Sequence, residues 1–150
     1  MAAPPDGFDL ERFVAAQADV YNSALREIRN GRKLTHWMWF IFPQLAGLGM
    51  SPTSQHDGIA RLREATAYLS HPLLGPRLIH CSEAVALVAG RSARDIFGSP
   101  DDMKLRSSAT LFARVSDDSS VFRRILEQYF AGEPDPRTLA LLGDTAPGNS

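Results

Sequence analysis

The dozen residues from Lys33 to Gln44, KLTHWMWFIFPQ, constrain this chain more than any other stretch. Two tryptophans, two phenylalanines, an isoleucine and a methionine stand there together, framed by Lys33 and His36 before and within them and by Pro43-Gln44 after them. A large side chain contributes roughly 1.5–3 kcal/mol when fully buried, so the segment must be enclosed by a core, a pocket or a partner. Its polarity does not alternate, and periodicity alone does not separate a buried helix from a buried strand. Thr35 is placed to cap a short helix running to Phe42. Pro43, which disfavours helical geometry in the residue before it, ends that helix.

The flanking sequence is written in helices. Asp9 is placed as an N-cap, with Phe8 and Phe13 as a hydrophobic staple. Leu10, Phe13, Val14, Tyr21, Leu25 and Ile28 then recur at helical spacing up to the stop at Asn30-Gly31. Gln17 falls on the same stripe, so its amide faces inward and needs partners, either backbone or ligand. PQLAGLGMSPTS, from Pro43 to Ser54, reads as a long loop. Ser54-x-x-Asp57 opens a helix that carries Ile59, Leu62, Thr66 and Leu69 on one face until His71-Pro72. A further helix restarts at Pro76 with Leu78, Ile79, Val85 and Val88 as its apolar face. Ser92-x-x-Asp95 begins a short one that ends at Gly98.

Ser99-Pro100-Asp101-Asp102 supplies an N-cap, a proline at the first helical position and two acids where the helix dipole favours them, for a helix to about Val115. Phe122, Ile125, Leu126, Tyr129 and Phe130 mark the next, stopped by Gly132, and Asp135-Pro136 caps a last one through Leu142. With six to eight helices and no hairpin signal, the expected fold is an all-α, compact single-domain bundle. Its expected organisation is a flexible leader over 1–8, one helical domain over 9–143 and a disordered tail over 144–150.

A formal net charge of −1 and no basic run longer than two residues argue against a nucleic-acid polymer as partner. The lone Cys81 cannot form an intramolecular bridge, zinc-type Cys/His spacing is absent, and neither a signal peptide nor a membrane-spanning run is present. The expectation is a cytoplasmic protein with no membrane partner, no metal and no cofactor. None of the familiar nucleophile, phosphate-loop or metalloprotease motifs occurs.

The chemistry therefore rests on polar residues in unusual places. His36 is the candidate acid/base, against the alternative of a core histidine bonded to a carbonyl. Trp37 and Trp39 are candidates for a stacking wall or for plain core. Gln44 carries an amide suited to reading a base or amide edge, or to capping a loop. Lys104 with Ser107 and Ser108, three and four residues on, can converge on a phosphate or carboxylate. Lys33 and Lys104 are also the only lysines in the chain. Ser107-Ser108-Ala109-Thr110 runs against helix propensity and permits close approach of a neighbouring helix or a ligand. His71 is read as a helix C-terminal residue, His56 and His80 as incidental, and Cys81 as lacking any group that would make it a nucleophile.

FVAAQADVYNSALREIRNGRK, HWMWFIFPQLAGLG, AYLSHPLLGPRL, IFGSPDDMKLRSSATLF and FAGEPDPRTLALL together resemble, over nearly the whole chain, the uncharacterised bacterial family called domain of unknown function 1810, whose members are often mislabelled calpastatin. The resemblance implies a compact all-α domain and a motif map, but no reaction. The family's motif residues fall here on Gln17, Tyr21, Lys33, His36, Trp37, Trp39, Phe42, Pro43, Gln44, His71, Pro72, Asp102, Lys104, Ser107 and Ser108. Relatives usually carry an aromatic where this chain has Asp57. Two functional readings stay open. In the first, the HWMWFIFPQ block and the KLRSS helix form a cleft for a small anionic, nucleotide-like ligand, with hydrolysis assisted by His36 as an extension. In the second, the aromatic block docks a protein partner or a second subunit without catalysis.

Overall fold

The computed structural model describes residues 9–46, 59, 62–117 and 119–143, and these are the residues referred to below. They hold nine helices: α1 (Glu11–Gln17), α2 (Tyr21–Arg29), α3 (Met38–Ile41), α4 (Leu62–Ser70), α5 (Leu74–Leu87), α6 (Ala93–Phe97), α7 (Asp101–Ala113), α8 (Val121–Phe130) and α9 (Pro136–Leu141). Among the described residues extended pairing is limited to a single parallel bridge, Leu45 with Ile59. Here too, no helix is long and apolar enough to cross a membrane. The expected leader over 1–8, the tail over 144–150, the staple residue Phe8 and the Ser54/Asp57 capping box lie outside the described residues.

The helix expected from Asp9 to Asn30 is two helices separated by a turn at 18–20. The break lets each half take its own partner, α1 packing on α3 and α2 on α5. Asp9 does not supply the cap: Leu10 occupies that position without a side-chain bond. Nor does Ile59 belong to a helix. Its N–H donates to the Gln44 carbonyl and its own carbonyl accepts from Ala46, both at 2.7 Å, so α4 starts later. Ala65 and Tyr68 form its buried face, while Thr66 is exposed.

α5 begins at Leu74, two residues before the expected start. There the chain turns so tightly that a Cβ on Gly75 would lie 2.1 Å from the Leu69 carbonyl oxygen, a position open only to glycine. His71 belongs to this start rather than to the end of α4. Its Nδ1 accepts the N–H groups of Leu73 and Leu74 at 3.1 and 3.2 Å.

Several ends follow the sequence closely. Ser92 and Asp95 form a reciprocal capping box, Ser120 caps α8, and the Asp135 carboxylate accepts from the N–H and hydroxyl of Thr138. At α7 the cap position is Pro100, after a cis Ser99–Pro100 bond, and Ser99 makes no cap. α7 runs through the centre and packs most extensively against α8. Its run of small and hydroxyl residues has a structural use. The Thr110 hydroxyl donates to the Arg106 carbonyl at 2.8 Å and accepts the Asp135 N–H at 2.8 Å, which ties α9 to the core.

The core joins Phe13, Trp37, Phe42, Tyr68, Phe97, Phe112 and Phe122, with edge-on ring pairs such as Phe13 with Tyr68 at 5.1 Å and Phe42 with Phe97 at 6.0 Å. Two buried polar groups are built into it. Gln17 donates its amide to the Phe40 carbonyl and the Tyr68 hydroxyl, both at 2.8 Å, and its oxygen lies 3.4 Å from the Arg77 guanidinium. Glu27, only 6% exposed, accepts four hydrogen bonds: Oε1 from the N–H groups of Leu34 and Thr35 and from the Trp37 indole, and Oε2 from the Thr35 hydroxyl. Thr35 thus serves Glu27 instead of capping α3.

Burial by itself would raise the Glu27 carboxyl, but the bonds from Leu34, Thr35 and Trp37 outweigh it and hold the group at about 2 against an ordinary 4.5. A depressed folded-state pKa gives stability that is fully present above the unfolded value and lost as pH falls from 4.5 towards 2, here on the order of 3 kcal/mol. Glu27→Gln is therefore expected to cost about 2–3 kcal/mol in urea denaturation at pH 7 and to flatten the acid limb of the stability curve between pH 5 and pH 2. Thr110→Val, which strands the buried Asp135 N–H, is expected to cost about 1–3 kcal/mol, with faster amide exchange over α9.

Candidate functional site

The loop between α2 and α3 is held at both ends. Glu27 gathers Leu34, Thr35 and Trp37, and the Lys33 N–H donates to the Ile96 carbonyl at 2.6 Å, fastening the loop to α6. Trp37 is driven into the core, 1% exposed, between Phe42 and Phe97 at centroid distances of 6.3 and 6.2 Å. With its indole N–H committed to Glu27, it has no open face for a ligand. Trp39, two residues on, is half-buried.

The Lys33 side chain turns inward, 9% exposed, and its ammonium meets Asp101 Oδ2 at 2.9 Å and lies 5.4 Å from the centre of the Trp37 ring. Lys104 reaches the same carboxylate, Oδ1 at 3.1 Å, and stands 4.4 Å above the Trp39 ring. Two ammonium groups from segments far apart in sequence therefore share one carboxylate beside a half-buried indole. An ammonium has three donors, so each lysine retains donors beyond Asp101. Cation–π contact with the indoles holds the ammonium groups on the aromatic surface.

His36 lies on the same loop, exposed, and makes no hydrogen bond among the described residues; it is not a core histidine. Gln44 is 5% exposed with its Nε2 unpartnered. Gln17 sits elsewhere, in the core between α1, α3 and α4, with its amide fully occupied. Ser107 and Ser108, expected to join Lys104 on an anion, are 7% and 1% exposed, and the Ser107 hydroxyl donates to the Met103 carbonyl one turn back at 3.1 Å. The small side chains of α7 serve helix packing, while the group that Lys104 joins is Lys33, Asp101 and Trp39. Among the described residues no three His, Cys, Asp or Glu side chains gather to hold a metal ion.

Asp101 and Glu27 are absent from the residues singled out in the sequence. Asp101 precedes Lys104 by three positions, an ordinary helical pair, and reads as a first-turn acid. Glu27 stands three residues after Ala24 on the buried face of α2, and an acid in such a place was the available signal. Cys81 is buried, which pushes its thiol up to about 12, in keeping with an unreactive cysteine.

The structure is similar to the crystal structure of the conserved hypothetical protein Rv1873 from Mycobacterium tuberculosis, with a TM-score of 0.88 and 57% identity over 91% of this chain and 97% of that one. No curated protein matches the chain. Residues 7–142 match the family model described as protein of unknown function, DUF1810, and the chain belongs to that family.

Proposed function

We propose that this protein binds a small anionic, nucleotide-like ligand at the junction of the HWMWFIFPQ block and the first turns of α7. The observation that carries the reading is the meeting of the chain's only two lysines on Asp101 beside Trp39. Each ammonium keeps donors beyond the one that it gives to Asp101. A phosphate or carboxylate placed against them completes the set, as charge-assisted hydrogen bonds to an anion are about twice as strong as neutral ones. Half-buried Trp39, with the Lys104 ammonium over its ring, supplies the aromatic surface of the site. His36, on the same Glu27-anchored loop, supplies a proton donor or acceptor, and hydrolysis of a phosphate or glycosidic bond is the catalytic extension of the site.

The alternative, a docking surface for a protein, draws on exposed Leu34 and Met103, 70% and 43% exposed, next to the two lysines. Against it, Trp37, Met38, Ile41 and Phe42 are spent in the chain's own core, which leaves the aromatic block little surface for a partner. The setting we assign is cytoplasmic, a reading supported by the free thiol of Cys81.

Thermal unfolding against nucleotides, ADP-ribose, sugar phosphates and simple anions tests the proposal. A ligand at 100 times its dissociation constant adds about 2.7 kcal/mol. For a chain of this length that is an expected rise of roughly 5–10 °C. The rise is expected to disappear in Lys104→Ala, whose partly exposed side chain makes it the milder of the two lysine deletions, and to persist in His36→Ala if that residue acts in turnover alone. Absence of any rise in the parent protein sinks the anion site and transfers weight to a protein partner.

A further inference from the structure

The seam between α2 and α5 holds an opening that shares no lining residue with the lysine cluster. The two helices run side by side in the same direction. Arg77, near the start of α5, lies 4.8 Å above the ring of Tyr21 at the start of α2. At the other end Arg29, in the last turn of α2, shares a hollow of about 240 Å³ with the second half of α5. Its lining is Arg29, His80, Glu83, Ala84, Leu87 and Val88.

The walls are fixed from behind. The Tyr129 hydroxyl donates to the Val85 carbonyl at 2.6 Å and the Gln128 amide to the Val88 carbonyl at 3.3 Å, which ties the end of α5 to α8. A Cβ on Gly31 would stand 3.7 Å from Val88 Cγ1 and 3.2 Å from Arg91 Cδ, so the chain leaving α2 sits on that same valine. The lining side chains differ from their backbone in this respect. Arg29 and Glu83 are exposed and bring opposite charges to one small opening, yet among the described residues neither makes an ion pair or a side-chain hydrogen bond. Leu87 is 81% exposed beside them, with Ala84 and Val88 as the other apolar members.

We infer that this opening binds a small aliphatic α-amino acid, its carboxylate on the Arg29 guanidinium, its ammonium on Glu83 and its side chain against Ala84, Leu87 and Val88. The inference goes beyond the anion site and does not rest on it. An arginine fork matches a carboxylate with two parallel bonds, and a carboxylate accepts readily from an ammonium. A ligand of one charge satisfies one wall only. The hollow is smaller than the roughly 300–1,000 Å³ of sites for larger organic ligands, and no aromatic ring stands among its lining residues. An aliphatic side chain placed there takes the surface of Leu87 out of water. A cation at the end of α2 is also favoured by the helix dipole. That role asks nothing of Glu83, so dependence on both residues is the discriminating property.

NMR titration of the isotope-labelled full chain with L-leucine, L-valine, glycine, isocaproate and isoamylamine tests the assignment. Isocaproate is L-leucine without its ammonium, and isoamylamine is L-leucine without its carboxylate. L-leucine or L-valine is expected to shift the amides of residues 28–31 and 80–91 and to bind at least about fivefold more tightly than the other three. Arg29→Met and Glu83→Gln keep the length of exposed side chains and remove one charge each. Each is expected to lower the affinity by a similar factor and to leave the melting temperature unchanged.

No shift with either amino acid overturns the inference, as do shifts confined to other helices. Isocaproate binding as tightly as L-leucine overturns it too, because the opening then holds a carboxylate without Glu83. The same follows if either variant keeps the affinity of the parent. The comparison among compounds is made on the parent protein, so it decides the matter even where a variant unfolds.

Discussion

Four donors from one loop converge on the Glu27 carboxylate, and the placement of everything around the candidate site depends on them. Residues 33–37 contain no helix of their own to satisfy their backbone, and a carboxylate at the end of α2 takes up two of their N–H groups, a hydroxyl and an indole N–H. A buried carboxylate is costly by itself. It becomes stabilising here because each incoming bond favours the charged form, which is also why its pKa is depressed in spite of its burial. The same bonds drive Trp37 into the core, leave His36 in solvent and set Lys33 against α6.

A second constraint acts across the molecule. Lys33 comes from the α2–α3 loop and Lys104 from α7, and neither would face the other without Phe42 and Trp37 packing on Phe97 to bring α3 against the turn before α7. The aromatic block thus contributes to function chiefly by being core. Its buried members position the partly exposed ones. Gln17 illustrates the opposite outcome: an inward amide from the same stripe logic, fully matched by Phe40, Tyr68 and Arg77, with no capacity left for a ligand.

Features set by a few neighbouring residues were legible in the chain. The Ser92/Asp95 capping box, the Asp135 cap with Pro136 behind it, the stop after α8 and the non-helical residue before Pro43 each depend on contacts within about four positions. The stripe through Phe13, Gln17 and Ile28 was legible as well, but the turn at 18–20 was not, because it arises from α1 and α2 finding different partners. Ile59 fits a helical face by spacing and is nevertheless held by backbone bonds to 44–46. The hydroxyl run on α7 left open the close approach of a helix or a ligand, and the tertiary structure uses Thr110 to fasten α9 and Ser107 to close on its own helix.

The sequence by itself determined the all-helical class, several helix ends and most of the residues from which the site is drawn. These follow from local backbone preferences, capping and periodic burial, whose reach is one or two turns. Only the tertiary structure decided which members of that set meet: Lys33 and Lys104 on Asp101, Gln17 apart in the core, Trp37 closed and Trp39 half open. Pairings between distant segments are fixed by how whole faces pack, and a carboxylate such as Glu27 or Asp101 acquires its role from donors that arrive with those faces.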